Sequence, residues 1–102
     1  MLRRNELELA ARVLHAMAHP VRLGVLQALR DRELTVGELH TRLGCSQSLM
    51  SQQLRLLEAA GLVGLRRQAN RKLCHVRNPD FLKVFACMER HLKLLQGKVS
   101  EK

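Results

Sequence analysis

Three cysteines, five histidines and a helix-spaced cluster of glutamines, serines and arginines are the residues of this 102-residue chain that could do chemistry. Cys45, Cys74 and Cys87 are odd in number and lack CxxC spacing, which fits reduced thiols better than a disulfide framework. Asp80, Cys87 and His91 follow one another at spacings of seven and four, and a Cys and a His four apart on a helix can share a soft divalent ion. The plainer reading of the same residues is a small buried hydrophobe beside an exposed imidazole. Cys45 directly precedes a helix start, where the positive helix end, with Arg42 and Arg55 close in sequence, favours a reactive thiolate; its plainer role is packing on Met50. Cys74 lies in an apolar run and is expected to be packed and inert. His15, His19, His40 and His75 show no ligand spacing and read as structural or surface residues. No Ser-His-Asp set, paired carboxylates or Gly-rich phosphate loop is present, so catalysis ranks lowest among the functions considered.

The polar cluster sits on the stretch from Cys45 to Gly61, CSQSLMSQQLRLLEAAG. Ser46 suits an N-cap, Cys45 and Met50 suit the ends of a hydrophobic staple, and Gly61 suits a left-handed close. Met50, Leu54 and Leu57 recur at spacings of four and three and predict a buried stripe. Gln47, Ser48, Ser51, Gln52 and Arg55 then face outward, with Gln53 at the border and Glu58 as the only acid. Amides read base donors and acceptors, and Arg reads guanine or phosphate, so Gln47, Ser48, Ser51, Gln53 and Arg55 are candidate DNA contacts. A merely solvated face is the competing reading.

The elements that must position this helix follow from periodicity and capping signals. Leu7, Ala10, Leu14 and Met17 predict a first helix over 6–18, ended at His19-Pro20, and Pro20 opens a second helix to about Arg30. Thr35-Val36-Gly37-Glu38 is a capping box that opens a short helix, and Gly44 turns it directly into the next one. Two helices about a tight turn make a helix-turn-helix. Two apolar runs, Leu62 to Leu65 and Lys72 to Val76, flank a basic tip and predict a two-stranded hairpin, in which Arg66, Arg67 and Arg71 would grip phosphate. Asn78-Pro79-Asp80 opens a last helix, where Phe81, Phe85, Met88, Leu92, Leu95 and Val99 form a coiled-coil-like seam. Gly97 is expected to end it, with 98–102 as a frayed tail. The seam and the first helix predict a symmetric dimer whose interface holds Leu7, Leu14, Phe85, Met88, Leu92 and Leu95, unless the stripe covers its own core instead.

Composition agrees with that outline. The chain carries a formal charge of +9, which favours a polyanionic partner, while 2% aromatic residues with no Trp or Tyr argue against stacking modules for single strands. No apolar run approaches a membrane span and the N-terminus lacks a signal-peptide core, so a cytoplasmic location without membrane contact is expected. One mainly α domain over 1–102 follows: a winged helix-turn-helix with its recognition helix at about 46–60, a wing at about 62–76 and a dimerisation helix at about 79–96.

Ala18-His19-Pro20-Val21-Arg22-Leu23, Leu34-Thr35-Val36-Gly37-Glu38-Leu39, Ser46 through Leu54 and Ala60-Gly61-Leu62-Val63 together resemble the ordered signature of the ArsR-type (ArsR/SmtB) winged-helix repressors. The resemblance implies a homodimeric repressor that reads double-stranded DNA with the recognition helix, lays its wing along the backbone, and lets go when a metal or thiol-reactive signal binds. Departures bear on the signal. Leu34 to Leu39 lacks the cysteines of metal sensors that bind beside the helix-turn-helix, and Val25 to Ala28 lacks the cysteine of dithiol sensors. Relatives often carry His where this chain has Gln53, and Tyr where it has Cys74. What remains for a soft metal ion or a thiol modification is Cys45, Asp80, Cys87 and His91. A winged-helix module for a protein or RNA partner is the alternative function.

Overall fold

A computed structural model describes the backbone of residues 1–100 and the side chains of residues 1–97. Gly44 fixes the central turn. Its φ of 67° is a left-handed conformation that costs a glycine little, and there α3 (Val36–Leu43) stops and the chain swings into α4 (Gln47–Ala59). Both helix starts are capped as their sequences predict. Thr35 Oγ1 accepts from the Glu38 amide at 3.0 Å while Glu38 Oε1 accepts from the Thr35 amide at 2.9 Å, and Ser46 Oγ accepts from the Leu49 amide at 3.0 Å. The Thr35 backbone N–H holds the Glu38 carboxyl below the usual carboxylate range.

Behind this pair lie α1 (Arg4–Met17) and α2 (Pro20–Ala28); the latter carries proline at its first position and His19 Nδ1 accepting from the Val21 amide. The core gathers Val25 and Leu26 of α2 with Leu29 at its C-cap, Leu39 of α3, and Met50, Leu54 and Leu57 of α4. Each fully buried leucine contributes about 1.5–3 kcal/mol, enough to hold α4 from behind while its front stays polar.

After Gly61, left-handed at φ 79°, β2 (Val63–Gln68) and β3 (Arg71–Val76) form the antiparallel hairpin, with Ala69 at φ 57° in its tip. Gly64 lets the hairpin close on itself, since a Cβ there would lie 2.6 Å from His75 Cε1. The sheet has one strand more than the sequence predicts. β1 (Leu34–Thr35) pairs with β3 through Leu34↔Cys74 and Thr35↔Leu73, giving the order β1-β3-β2. A two-residue strand has no period to read; only its partner reveals it.

The C-terminal segment departs from the expected single helix. Pro79–Leu82 is a 3-10 turn capped by Asn78, and α5 begins at Lys83 and runs through Gly97 to Ser100, so Gly97 does not end it. The Val99 side chain and residues 101 and 102 of the expected tail lie outside the described residues. Phe85 is a correction as well: at 8% exposure it belongs to the protomer's own core. Further along, Met88 is half-buried and Leu92 and Leu95 are each 47% exposed, so the stripe leaves the core as the helix projects. α1 behaves alike, with Met17 buried, Val13 and Ala16 partly packed, and Leu7, Leu9 and Leu14 each 55% exposed. The radius of gyration, 15.4 Å against about 13 Å for a compact chain of this length, reflects these two projecting helices. Among the described residues no helix is long and apolar enough to cross a membrane.

Candidate nucleic-acid interface

The front of α4 and the hairpin enclose a polar cleft lined by Thr35, Val36, Gly37, Gln47, Ser51, Arg67, Asn70, Arg71 and Lys72. Three cations and no acid line it. Gln47 projects from the first turn of α4, and Ser51, one turn on, is half-buried against the cleft floor. Ser48, Gln52 and Arg55 are exposed on the adjoining side of the helix. Val36 and Gly37, the first residues of α3, form part of the wall of the same cleft.

Strand alternation separates the arginines that the sequence groups together. Val63, Leu65 and Arg67 share one face of β2 and pair with Val76, Cys74 and Lys72, so the face that is core at the base becomes the cationic cleft wall at the tip. Arg66 points the other way. Its guanidinium donates to Glu33 Oε1 at 2.7 Å, an ion pair on the back of the sheet. Of the three arginines expected to grip phosphate, Arg67 and Arg71 line the cleft, while Arg66 is paired with Glu33 outside it. Lys72 and Asn70 also line the cleft; strand parity could have found Lys72, which pairs with Arg67, whereas Asn70 and Arg71 reach the cleft from the tip of the hairpin.

Gln53 is corrected too. It is 8% exposed and its Oε1 accepts from Arg22 Nη1 at 2.6 Å, so the side chain turns into the protein and away from the exposed face of α4. Gln52, beside it in sequence, is the exposed amide.

The thiols divide by environment. Cys74 is fully buried and desolvation, with Glu58 and Glu33 adding to it, pushes its thiol up to about 12. Cys45 is half-buried against the core, and its carbonyl lies 3.2 Å from His40 Nδ1. Cys87 is exposed. Asp80 stands in the 3-10 turn, 3.4 Å from Lys83 Nζ, and so is off the helical stripe that the sequence suggests for Asp80, Cys87 and His91. Among the described residues, no three His, Cys, Asp or Glu side chains gather as a metal ion needs, and one protomer does not fit a resident metal.

A capped helix pair with an abrupt glycine turn, a polar reading face on its second helix and a cationic hairpin beside it define a winged helix-turn-helix of the kind found in transcriptional regulators. The helix-turn-helix domain family matches residues 17–66. The uncharacterised HTH-type transcriptional regulator Rv0081 of Mycobacterium tuberculosis is 34% identical over 95 residues, spanning 91% of this chain and 83% of that protein, and its crystal structure superposes with a TM-score of 0.80. HlyU from Vibrio cholerae superposes with a TM-score of 0.77 at 36% identity, over 87% of this chain and 96% of its own. Mb0332 from Mycobacterium bovis, described as a homodimeric winged helix-turn-helix DNA-binding domain and a possible ArsR-family regulator, gives a TM-score of 0.77 at 30% identity, over 85% of this chain and 81% of its own. The chain belongs to the ArsR-type family of transcriptional regulators. Its members are regulators, not enzymes.

Proposed function

We propose that the chain binds double-stranded DNA as a homodimer and represses transcription from the bound site. The observation that carries this reading is the acid-free cleft in which Gln47 and Ser51 stand beside Arg67, Arg71 and Lys72: amide and hydroxyl groups that can read base edges lie next to cations that can hold the flanking phosphates. The exposed leucines of α1 and α5 supply the apolar surface for the second protomer, Leu7 and Leu14 from one helix and Leu92 and Leu95 from the other, with half-buried Met88 between. Two copies would present two recognition helices to successive half-sites. Any thiol-driven release depends on Cys87 or Cys45, because Cys74 is both buried and held as the neutral thiol.

Selection of duplexes from random-sequence DNA tests the proposal. The wild-type protein should enrich a two-part motif, and Gln47→Ala with Ser51→Ala should lose discrimination of about 1–3 kcal/mol per base contact while keeping salt-sensitive binding. Unchanged sequence preference in that double variant would remove α4 as the reader.

A further inference from the structure

Arg22, on α2, bridges the end of α1 and the middle of α4. The carbonyl of Ala16, in the last turn of α1, would ordinarily accept from the amide of residue 20, but Pro20 has no N–H to give. Arg22 Nε supplies the missing donor. The other arm of the same guanidinium, Nη1, donates to Gln53 Oε1 in the middle of α4. Gln53 is the one buried polar side chain among the described residues, so its acceptor has been taken out of water and depends on this partner. A guanidinium is a planar fork with fixed angles, and holding two acceptors at once fixes their relative placement in a way a lysine ammonium does not.

The two ends of this strut matter because of what each helix carries. α1 presents the exposed Leu7, Leu9 and Leu14, and α4 presents Gln47 and Ser51 to the cleft. We propose that Arg22 and Gln53 are positioning residues that set the angle between the dimer-forming helix and the recognition helix, and thereby the half-site spacing that the dimer accepts. The proposal rests on the dimeric DNA reading above. It assigns neither residue a contact with DNA: Gln53 is buried, and Arg22 is half-buried with its Nε and Nη1 donating within the protein.

The experiment uses the full chain and the duplex that the wild-type protein selects, rebuilt with one, two or three base pairs inserted between its half-sites. Gln53→Leu removes the acceptor but keeps an apolar group in the core. Gln53→Glu keeps an acceptor for Arg22, and Arg22→Lys keeps the charge without the fork. All variants are first checked for dimer mass and thermal melting. The wild type and Gln53→Glu should lose about tenfold or more in affinity on a two-base-pair insertion, and Gln53→Leu and Arg22→Lys less than about threefold, since a loosened angle lets the second helix follow its half-site. A folded, dimeric Gln53→Leu that keeps the full wild-type penalty overturns the proposal. Amide hydrogen exchange over Met50 to Leu57 of the DNA-free dimer separates the two layers. Faster exchange in Gln53→Leu than in Gln53→Glu, with no duplex selected by the wild type, would sink the DNA reading and the spacing role together while upholding the strut. Equal exchange in the two variants refutes the strut.

Discussion

The sheet's two faces predict that neighbouring arginines in the wing behave differently. Arg67 and Lys72 are cross-strand partners on the cleft wall, whereas Arg66 lies on the back of the sheet and is engaged by Glu33. Each phosphate neutralised by a cation contributes about 0.9 to the slope of log affinity against log salt, so Arg67→Ala with Lys72→Ala should flatten the slope by about 1.8. Between about 50 and about 200 mM salt, a fourfold change, that difference amounts to about twelvefold in affinity. The loss should be similar for every duplex, because phosphate contacts carry no sequence information. Arg66→Ala removes an exposed ion pair worth about 0–1 kcal/mol to folding and should change the slope by less than about 0.5. Fluorescence anisotropy with a labelled duplex, titrated at five or so salt concentrations for each variant, reads the slope directly. Thermal melts confirm that each variant is folded. If Arg66→Ala flattens the slope as much as Arg67→Ala does, the assignment of the two side chains to opposite faces is refuted.

Leu92→Glu should yield a folded monomer in sedimentation velocity, because the side chain is 47% exposed in the protomer and only a partner would bury the charge; a stable dimer would move the interface off α5. Phe85→Ala, by contrast, should lower protomer stability by about 3–5 kcal/mol in a denaturant melt, since that ring is in the core. Alkylation of the native protein at neutral pH should label Cys87 first, Cys45 more slowly and Cys74 only on unfolding, with peptide mass spectrometry giving the order; early labelling of Cys74 would contradict its burial. Burial raises the Cys74 thiol from an ordinary 9.0 to about 12, so the folded state holds that proton longer than the unfolded one. The stability it contributes is whole below about pH 9 and is lost as pH rises toward about 12; Cys74→Val should make melting temperature less sensitive to pH between about pH 9 and about pH 11.

Local chemistry was the most legible part of this fold. The Thr35 and Glu38 box, the Ser46 cap and the left-handed Gly44 and Gly61 are each decided by a few adjacent residues, and each stands where the sequence puts it. Features set by distant partners were not legible. Gln53 occupies a border position from which a glutamine can point outward or inward, and it is drawn inward by Arg22, which only the fold brings near. Arg66 and Arg67 could not be told apart because Leu62-Val63-Gly64-Leu65 is a continuous apolar run that hides strand parity. The apolar stripe of α5 forced a choice between own core and partner, yet the helix serves its own core at Phe85 and leaves it at Leu92. Asp80 looked like part of one helix with Cys87 and His91 because periodicity does not distinguish a 3-10 turn from the first turn of an α-helix.

The short strand β1 gives the wing a fixed root. Thr35 pairs with Leu73, caps α3 and lines the cleft, so three jobs meet in one residue whose movement would break all of them at once. Next to it, Leu34 and Cys74 face each other across the sheet and are fully buried. The hairpin beyond has no third strand, and its residues from Arg66 to Lys72 are exposed. Mechanically this is a cantilever, clamped where β1 joins β3 and unsupported at the Ala69 end. In the proposed DNA complex the root, tied to the start of α3, would fix where the wing leaves the reading helix, while the tip would meet the backbone on its own.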